Sequence, residues 1–450
     1  MVERFNLLTT RASELMGRHS IPGMSLGMVI DGVDHKAALG ITSVDNPLAV
    51  DDNTLFQIGS TTKTVTATAL ACLVDSGRID FDDSVIRHVP EFELADPAVA
   101  RVLTIRHLLN HTAGFAGDLF TDTGRGSDST ALYVSQMRDL AQLLPPGIVA
   151  VYNNAAFVLA SRIIEVVTGD TYEYAVRSLV LDPLGLHDSL FESSAVMLRR
   201  FAVGHTVHPD GRTVVASPWE LPRAVAGAGG LSATVGDQLA YARFHLGDGV
   251  AADGTRLLSK TRLAEMQSPT VDFIEDRRIG LSWMVADLGG NRIVAHGGAT
   301  NGQKSAFWMC PDRDLAFVSM TNGSTGHLLN QELSRYAQEL FLEYVAPDVS
   351  PLRIDDPSEY VGEYRSEPNG EIYGVRLDEG GLSFKLVDHG RLVEAFDTSA
   401  EAIPSTVEFQ SPDHVTMRGG DRDGSGGVFM RDSAGAVSHL RMDRLLIKQP

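Results

Sequence analysis

The chain has 450 residues, enough for about two to four domains, and its 43% hydrophobic and 21% charged content is that of a globular protein, which excludes a largely disordered or collagen-like chain. Its 38 basic residues stand against 58 acidic ones, a formal charge of −20, so phosphate backbones and anionic lipid are repelled, and neither nucleic acid nor a membrane is expected as a partner. Two cysteines, Cys72 and Cys310, exclude a disulfide framework and argue against a Cys-based metal site.

The first segment, MVERFNLLTTRASELMGRHSIPG, carries Glu3 and Arg4 at once and lacks a long apolar core. It predicts an amphipathic helix ending before Pro22 rather than a signal peptide. No stretch approaches the ~20 apolar residues that cross a bilayer, and a cytoplasmic location is the expectation. MSLGMVIDG and VDHKAALG then read as two strands joined at Asp31-Gly32, a strong hairpin signal. In TLFQIGSTTKTVTATALACLVDSGRI, Val65, Ala69, Cys72 and Leu73 recur with helical spacing, and Gly77 is placed to end the helix. Thr104 reads as the cap of IRHLLNHTAG, and Ala155 to Val167 as an apolar helix stopped by Gly169. Strand patterns return in IGLSWMVADL, RIVAHGG, SAFWMCP and LAFVSMTNG, before a helix over roughly Leu328 to Tyr344.

VAPDVSPLRIDDP reads as a linker. Beyond it come short alternating runs, YVGEYRS, IYGVRLD, LSFKLVD, RLVEAF, TVEFQ, HVTMRG, GGVFMRD and SHLRMDRLLI, with turn signals such as Glu379-Gly380-Gly381 and Ser433-Ala434-Gly435 between them. That spacing predicts a small antiparallel barrel or sandwich. The expected division is a first domain over 1–346, a linker over 347–356 and a β-rich domain over 357–450.

Three stretches could carry chemistry. In Gly59-Ser60-Thr61-Thr62-Lys63, the serine and lysine are three apart and share a helix face. A serine hydroxyl is a poor nucleophile unless a base takes its proton, and a lysine can be that base if burial and a positive neighbour lower its pKa. The bland alternative is a capping serine and a solvated lysine. The second stretch, PPGIVAVYNN, precedes the long helix and offers the phenol of Tyr152 and the amide of Asn154; the bland alternative is a buried tyrosine and a cap at Asn154. The third, His296-Gly297-Gly298-Ala299-Thr300-Asn301-Gly302, follows the strand RIVA. Glycines there let a substrate backbone approach, or simply form a turn beside an incidental histidine.

Taken together and in this order, the three stretches resemble the serine β-lactamase and penicillin-binding-protein superfamily, marked by S-x-x-K, Y-x-N and a K-T-G or H-x-G element. The match is closest to the class C β-lactamase-like branch of esterases and D-aminopeptidases. LLNHTAGF at 108–115, PLGLHDS at 183–189 and AGAGGLSATVGDQLAYARF at 226–244 resemble further segments of that branch. The tail is similar to the lipocalin-like barrels carried by some members.

The resemblance implies an α+β fold: an antiparallel sheet flanked by helices, with a helical insert, plus a C-terminal antiparallel barrel-like domain. It also implies Ser60 as acylated nucleophile and Lys63 with Tyr152 as a base system that titrates together. Backbone N–H groups of Ser60 and Ala299 would form an oxyanion hole beside Gly298, and Asn154 would contact substrate or order Lys63. His296 stands where penicillin-recognising members carry lysine. A histidine is mostly neutral at pH 7, so selection for carboxylate-bearing penicillins is expected to weaken in favour of esters, amides or D-aminoacyl and peptide substrates. A serine hydrolase follows, with an acyltransferase using an amine or alcohol acceptor as the alternative, and a β-lactamase or an inactive binding relative as the second. A small molecule or short peptide is the expected partner, self-assembly into a homo-oligomer stays open, and no cofactor or metal is implied.

Other patterns carry less. His107 and His111 lie four apart on the expected helix, but no glutamate follows the first, so the zinc-protease pattern fails. Gly227, Gly229 and Gly230 lack the βαβ unit of a phosphate loop, and GGDRDGSGG lacks the distal glutamate of a calcium loop.

Overall fold

The computed structural model describes residues 1–274, 277–347, 350–391 and 402–450. Helix α1 (Val2–Arg18) buries Phe5, Leu8, Ala12 and Leu15, a single stripe at helical spacing. Strands β1 (Gly23–Ile30) and β2 (Val33–Gly40) follow as the expected hairpin. Asp31 and Gly32, at φ of 51° and 74°, supply the two left-handed residues that such a tight turn needs.

Helix α2 (Thr62–Asp75) runs through the middle of the molecule, with every residue from Thr62 to Val74 buried. Threonines make this tolerable because each hydroxyl finds a partner. Thr66 Oγ1 donates to the Gly227 carbonyl at 2.7 Å, and Thr68 Oγ1 lies 2.9 Å from the Tyr241 hydroxyl. Helix α3 (Asn154–Thr168) ends at Gly169 with φ 82°, as read from the sequence. Helix α4 (Val235–Leu246) completes this layer. The segment headed by Thr104 is shorter than predicted. Thr104 and His107 form a reciprocal cap over Ile105–Leu109, and the chain leaves the helix at Asn110. His111, at φ 60°, therefore does not share a helix with His107, and their spacing creates no common face.

The remaining sheet strands are β3 (Val271–Asp272), β4 (Arg278–Ile279), β5 (Met284–Leu288), β6 (Asn291–Thr300), β7 (Gln303–Cys310) and β8 (Leu315–Thr321). IGLSWMVADL is not one strand; it breaks around Ser282, which has φ 72°. The eight strands run in the order β2-β1-β8-β7-β6-β5-β4-β3, antiparallel throughout. Both ends of the 1–346 segment thus build one sheet. Helix α5 (Gly326–Leu342) and α1 cover one face, packing Leu8, Leu15 and Leu333 with Trp308 and Phe317. The other face packs Phe307 and Val318 with Val65 of α2 and Leu239 of α4.

The C-terminal strands close into a barrel: β9 (Gly362–Ser366), β10 (Ile372–Asp378), β11 (Gly381–Asp388), β12 (Ser405–Ser411), β13 (His414–Arg418), β14 (Gly426–Arg431), β15 (Val437–Arg441) and β16 (Leu445–Lys448). Its interior is filled by Tyr360, Tyr364, Phe384, Phe409 and Phe429. The predicted run RLVEAF lies, apart from Arg391, outside the described residues. Leu352, inside the expected linker, donates its N–H to the Phe409 carbonyl at 2.6 Å. SHLRMDRLLI, predicted as one run, folds back between β15 and β16, and the Met442 N–H donates to the Arg444 carbonyl at 2.8 Å. Among the described residues no helix is long and apolar enough to cross a membrane.

Candidate active site

The site starts at the turn Gly59–Thr61 that enters α2. Gly59 has φ 53°, and a Cβ there would lie 2.5 Å from the Ala299 nitrogen, so both conformation and space demand glycine. The turn is tied to the sheet through Ser305 Oγ, which donates to the Ile58 carbonyl at 2.8 Å. Ser60 is half-buried at the mouth, and one turn along α2 Lys63 is fully buried.

The Lys63 Nζ has three polar neighbours: Ser60 Oγ at 3.1 Å, Asn154 Oδ1 at 2.7 Å and the Ala228 carbonyl at 2.6 Å. Burial, and next the positive charge of Arg444, hold the amine well below the ordinary lysine range, against a smaller opposing pull from Asp118. Burial pushes the pKa of the Tyr152 phenol upward, and the Ser60 hydroxyl offsets part of that push. Lys63 Nζ lies 4.9 Å from the Tyr152 ring centroid. The Lys63 amine thus lies against both the Ser60 hydroxyl and the Tyr152 ring.

Asn154 begins α3, but the capping residue is Asn153, whose side chain accepts from the Ala156 N–H at 2.8 Å. Asn154 is thereby free to face the site: its Oδ1 accepts from Lys63, and its Nδ2 donates to Asp118 Oδ1 at 2.6 Å. His111 stacks on Tyr152 with centroids 4.3 Å apart, and its Nδ1 accepts from the Asn153 N–H at 3.0 Å. It forms a wall of the site. Among the described residues no group of three or more His, Cys, Asp or Glu side chains is arranged to hold a metal ion.

Opposite lies β6. The strand read over RIVAHGG continues through Thr300, with His296 to Thr300 paired in register with Gln303 to Phe307, so the bland alternative of a glycine-rich turn does not hold. A Cβ on Gly298 would sit 1.8 Å from the Ile58 carbonyl. Glycine there lets the strand press against the Ser60 turn, which brings Ala299 beside Gly59. His296 is buried, and its ring centroid is 6.0 Å from that of Tyr152. Its Nδ1 donates to the Gly297 carbonyl at 2.6 Å, leaving Nε2 as the bare nitrogen. Burial, then the nearby Lys63, pulls its pKa down to about 3, so this ring is neutral at pH 7.

One part of the site was missed from the sequence. The turn between β15 and β16 reaches out of the barrel and onto Tyr152. The Asp443 carbonyl accepts the Tyr152 backbone N–H at 2.9 Å, and the Arg444 guanidinium lies 4.7 Å from the Tyr152 ring centroid. Arg444 forks onto Asp118, with Nη2 donating to Oδ1 at 3.1 Å and Nε contacting Oδ2. Nothing in an alternating run such as SHLRMDRLLI marks its middle as a turn, and Asp118 carried no motif.

Space for a substrate adjoins the turn. A cavity of 280 Å³ is lined by Gln57, Gly229 and Gly230. It shares Trp219, Leu221, Arg125 and Glu220 with a cavity of 760 Å³ that Phe120 and Phe201 also line.

A family model described as beta-lactamase matches residues 8–340. The chain belongs to the beta-lactamase family. Within the wider β-lactamase and penicillin-binding-protein superfamily, it is 34% identical over 364 residues to penicillin-binding protein 4 of Amycolatopsis lactamdurans, covering 78% of this chain and 94% of that one. It is 25% identical over 332 residues to the unguisins hydrolase ungD of Aspergillus violaceofuscus (strain CBS 115571), covering 68% and 59% respectively. The crystal structure of SurE superposes with a TM-score of 0.74 at 25% identity, covering 99% of each chain. The family match covers the sheet and helices but stops short of the barrel; SurE shares both parts of this beta-lactamase-family architecture.

Proposed function

We propose that this chain is a serine hydrolase acting through an acyl-enzyme on an ester, amide or D-aminoacyl/peptide carbonyl, with Ser60 as nucleophile. The observation that carries the reading is the setting of the Lys63 amine. A neutral amine has two N–H bonds, and the carbonyl oxygens of Asn154 and Ala228 accept both. Its lone pair is then left for the Ser60 hydroxyl 3.1 Å away. Burial favours that neutral state and disfavours a phenolate at Tyr152, which supports Lys63 as the base and Tyr152 as the relay.

In the first step Ser60 Oγ bonds to the substrate carbonyl carbon while its proton passes to Lys63. The oxyanion forms beside the Ser60 and Ala299 N–H groups; donors of this kind contribute about 3–4 kcal/mol each elsewhere. The bond to the leaving group then breaks, and that group takes a proton through Tyr152. Water repeats the sequence on the acyl-enzyme and releases the acid. A neutral His296 holds no charge for a substrate carboxylate, which favours esters, amides and D-aminoacyl compounds over penicillins. The relatives support a hydrolase at the level of the family.

The test is turnover of p-nitrophenyl esters, D- and L-aminoacyl amides and a chromogenic cephalosporin, with and without an added amine or alcohol. Ester or amide cleavage that Ser60→Ala abolishes is expected, with slow cephalosporin turnover. Fast cephalosporin turnover would overturn the reading of His296. Preferential transfer to the acceptor would make the chain an acyltransferase, and no Ser60-dependent turnover on any substrate would make it an inactive relative.

A further inference from the structure

We propose that Arg444, carried by the barrel turn, is a positioning residue of the site: through Asp118 and Asn154 it sets the Lys63 amine against Ser60. The inference rests on the acyl-enzyme reading above and extends it to a residue far outside the matched family segment.

The contacts form one continuous chain. Arg444 forks onto Asp118, Asp118 Oδ1 accepts the Asn154 amide N–H at 2.6 Å, and Asn154 Oδ1 accepts from Lys63 at 2.7 Å. An amide has one oxygen and one NH₂ group, so fixing the NH₂ end on Asp118 forces the oxygen toward Lys63. A flipped Asn154 would present N–H bonds to the amine and disturb its lone pair. Asp118 is 5% exposed; an unpaired carboxylate in that place would be costly and would tend to draw a proton onto Lys63. Arg444 neutralises it. The same guanidinium lies over the Tyr152 ring, and its neighbour Asp443 holds the Tyr152 backbone. Both members of the base system are thus held from the barrel.

The ionisable groups facing Lys63 come from every side: His111, Asp118 and Tyr152 from the segments around α3, His296 from β6 and Arg444 from the barrel. His111 and His296 are held neutral by burial. Arg444 and Asp118 are therefore the charges that act on the amine, with opposite signs. A purely structural ion pair would lose fold stability in either variant without opposite effects on the chemistry.

The test is the pH dependence of covalent labelling by a fluorophosphonate in the full-length protein, with Ser60→Ala as blank. Lys63 must be neutral to take the proton, so the acidic limb of the profile follows its pKa. Arg444→Met should move that limb up by about one pH unit, and Asp118→Asn should move it down by a comparable amount. Arg444→Lys should return most of the limb, since it keeps the charge. Labelling of Arg444→Met at pH 7 should fall about tenfold or more, with a smaller change in KM for an ester. Should Arg444→Met fold poorly, the near-isosteric Asp118→Asn and the charge-conserving Arg444→Lys still decide the matter. Limbs that do not move, or move together, overturn the inference while leaving the acyl-enzyme intact. A KM effect alone would also overturn it, placing Arg444 on the substrate. No Ser60-dependent label in the wild type would overturn the acyl-enzyme reading and this inference with it.

Discussion

Lys63 is a long cationic side chain with no exposed surface, a placement that a protein tolerates when the group is neutral or fully paired. The buried histidines obey the same physics. Burial draws His245 and His296 down to about 3 and His327 to about 4. An exposed histidine in the unfolded chain titrates near 6.5. Between about pH 3 and 6.5 the unfolded state therefore binds more protons than the folded one, and stability falls as pH is lowered through that window. Thermal unfolding between pH 7 and pH 4 should show a steep drop in Tm, and His245→Gln should make the dependence shallower; an unchanged slope in that variant would contradict the assignment. At this scale the sequence was informative. Ser60, Lys63, Tyr152, Asn154 and His296 were legible because residue type and spacing encode them locally. Asp118 and Arg444 were not, because a lone charge in a loop or strand has no signature until a distant partner is brought to it.

At the scale of elements, β6 teaches the most. RIVAHGG reads as a strand whose glycines could equally have marked a turn; the ladder runs through them as far as Thr300. What the glycines provide is proximity to the Ser60 turn, a requirement imposed from outside the strand. Gly298→Ala should therefore force β6 and the Ser60 turn apart, since the added Cβ would lie 1.8 Å from the Ile58 carbonyl. A loss of about 1–3 kcal/mol in denaturant unfolding is expected, with labelling slowed about tenfold or more. Gly17→Ala in α1, where a Cβ meets nothing within 4 Å, serves as the comparison: it should leave labelling unchanged and should hold stability or raise it by up to about 1 kcal/mol. Equal effects of the two substitutions would contradict the close-approach argument. The hairpin, α2 and α3 were legible because their signals are local: a two-residue turn, helical spacing and a glycine stop. That α2 is buried on every side was not, because its threonines look like a polar face until their hydroxyl partners are known.

For the whole molecule, alternating runs and turn residues were enough to anticipate a small antiparallel barrel, but not where it sits. Its docking includes a turn hidden inside SHLRMDRLLI, the Asp118–Arg444 pair, and an Arg441 Nη1 donation to the Ala150 carbonyl at 3.3 Å. Asp118→Ala removes one partner from a largely buried pair and should cost of order 3 kcal/mol, seen as a lower denaturant midpoint; an unchanged midpoint would show that the barrel does not depend on this contact. The architecture as a whole brings the Ser60 turn, the α3 entry, β6 and the barrel turn around one amine, so the decisive question is whether Ser60 becomes acylated. Intact-mass spectrometry of the full-length protein after brief exposure to an activated ester should show one added acyl group on the wild type, lost again with time, and none on Ser60→Ala. An adduct of equal size and rate on Ser60→Ala, or a wild type that cleaves esters without ever gaining mass through Ser60, would contradict the covalent mechanism.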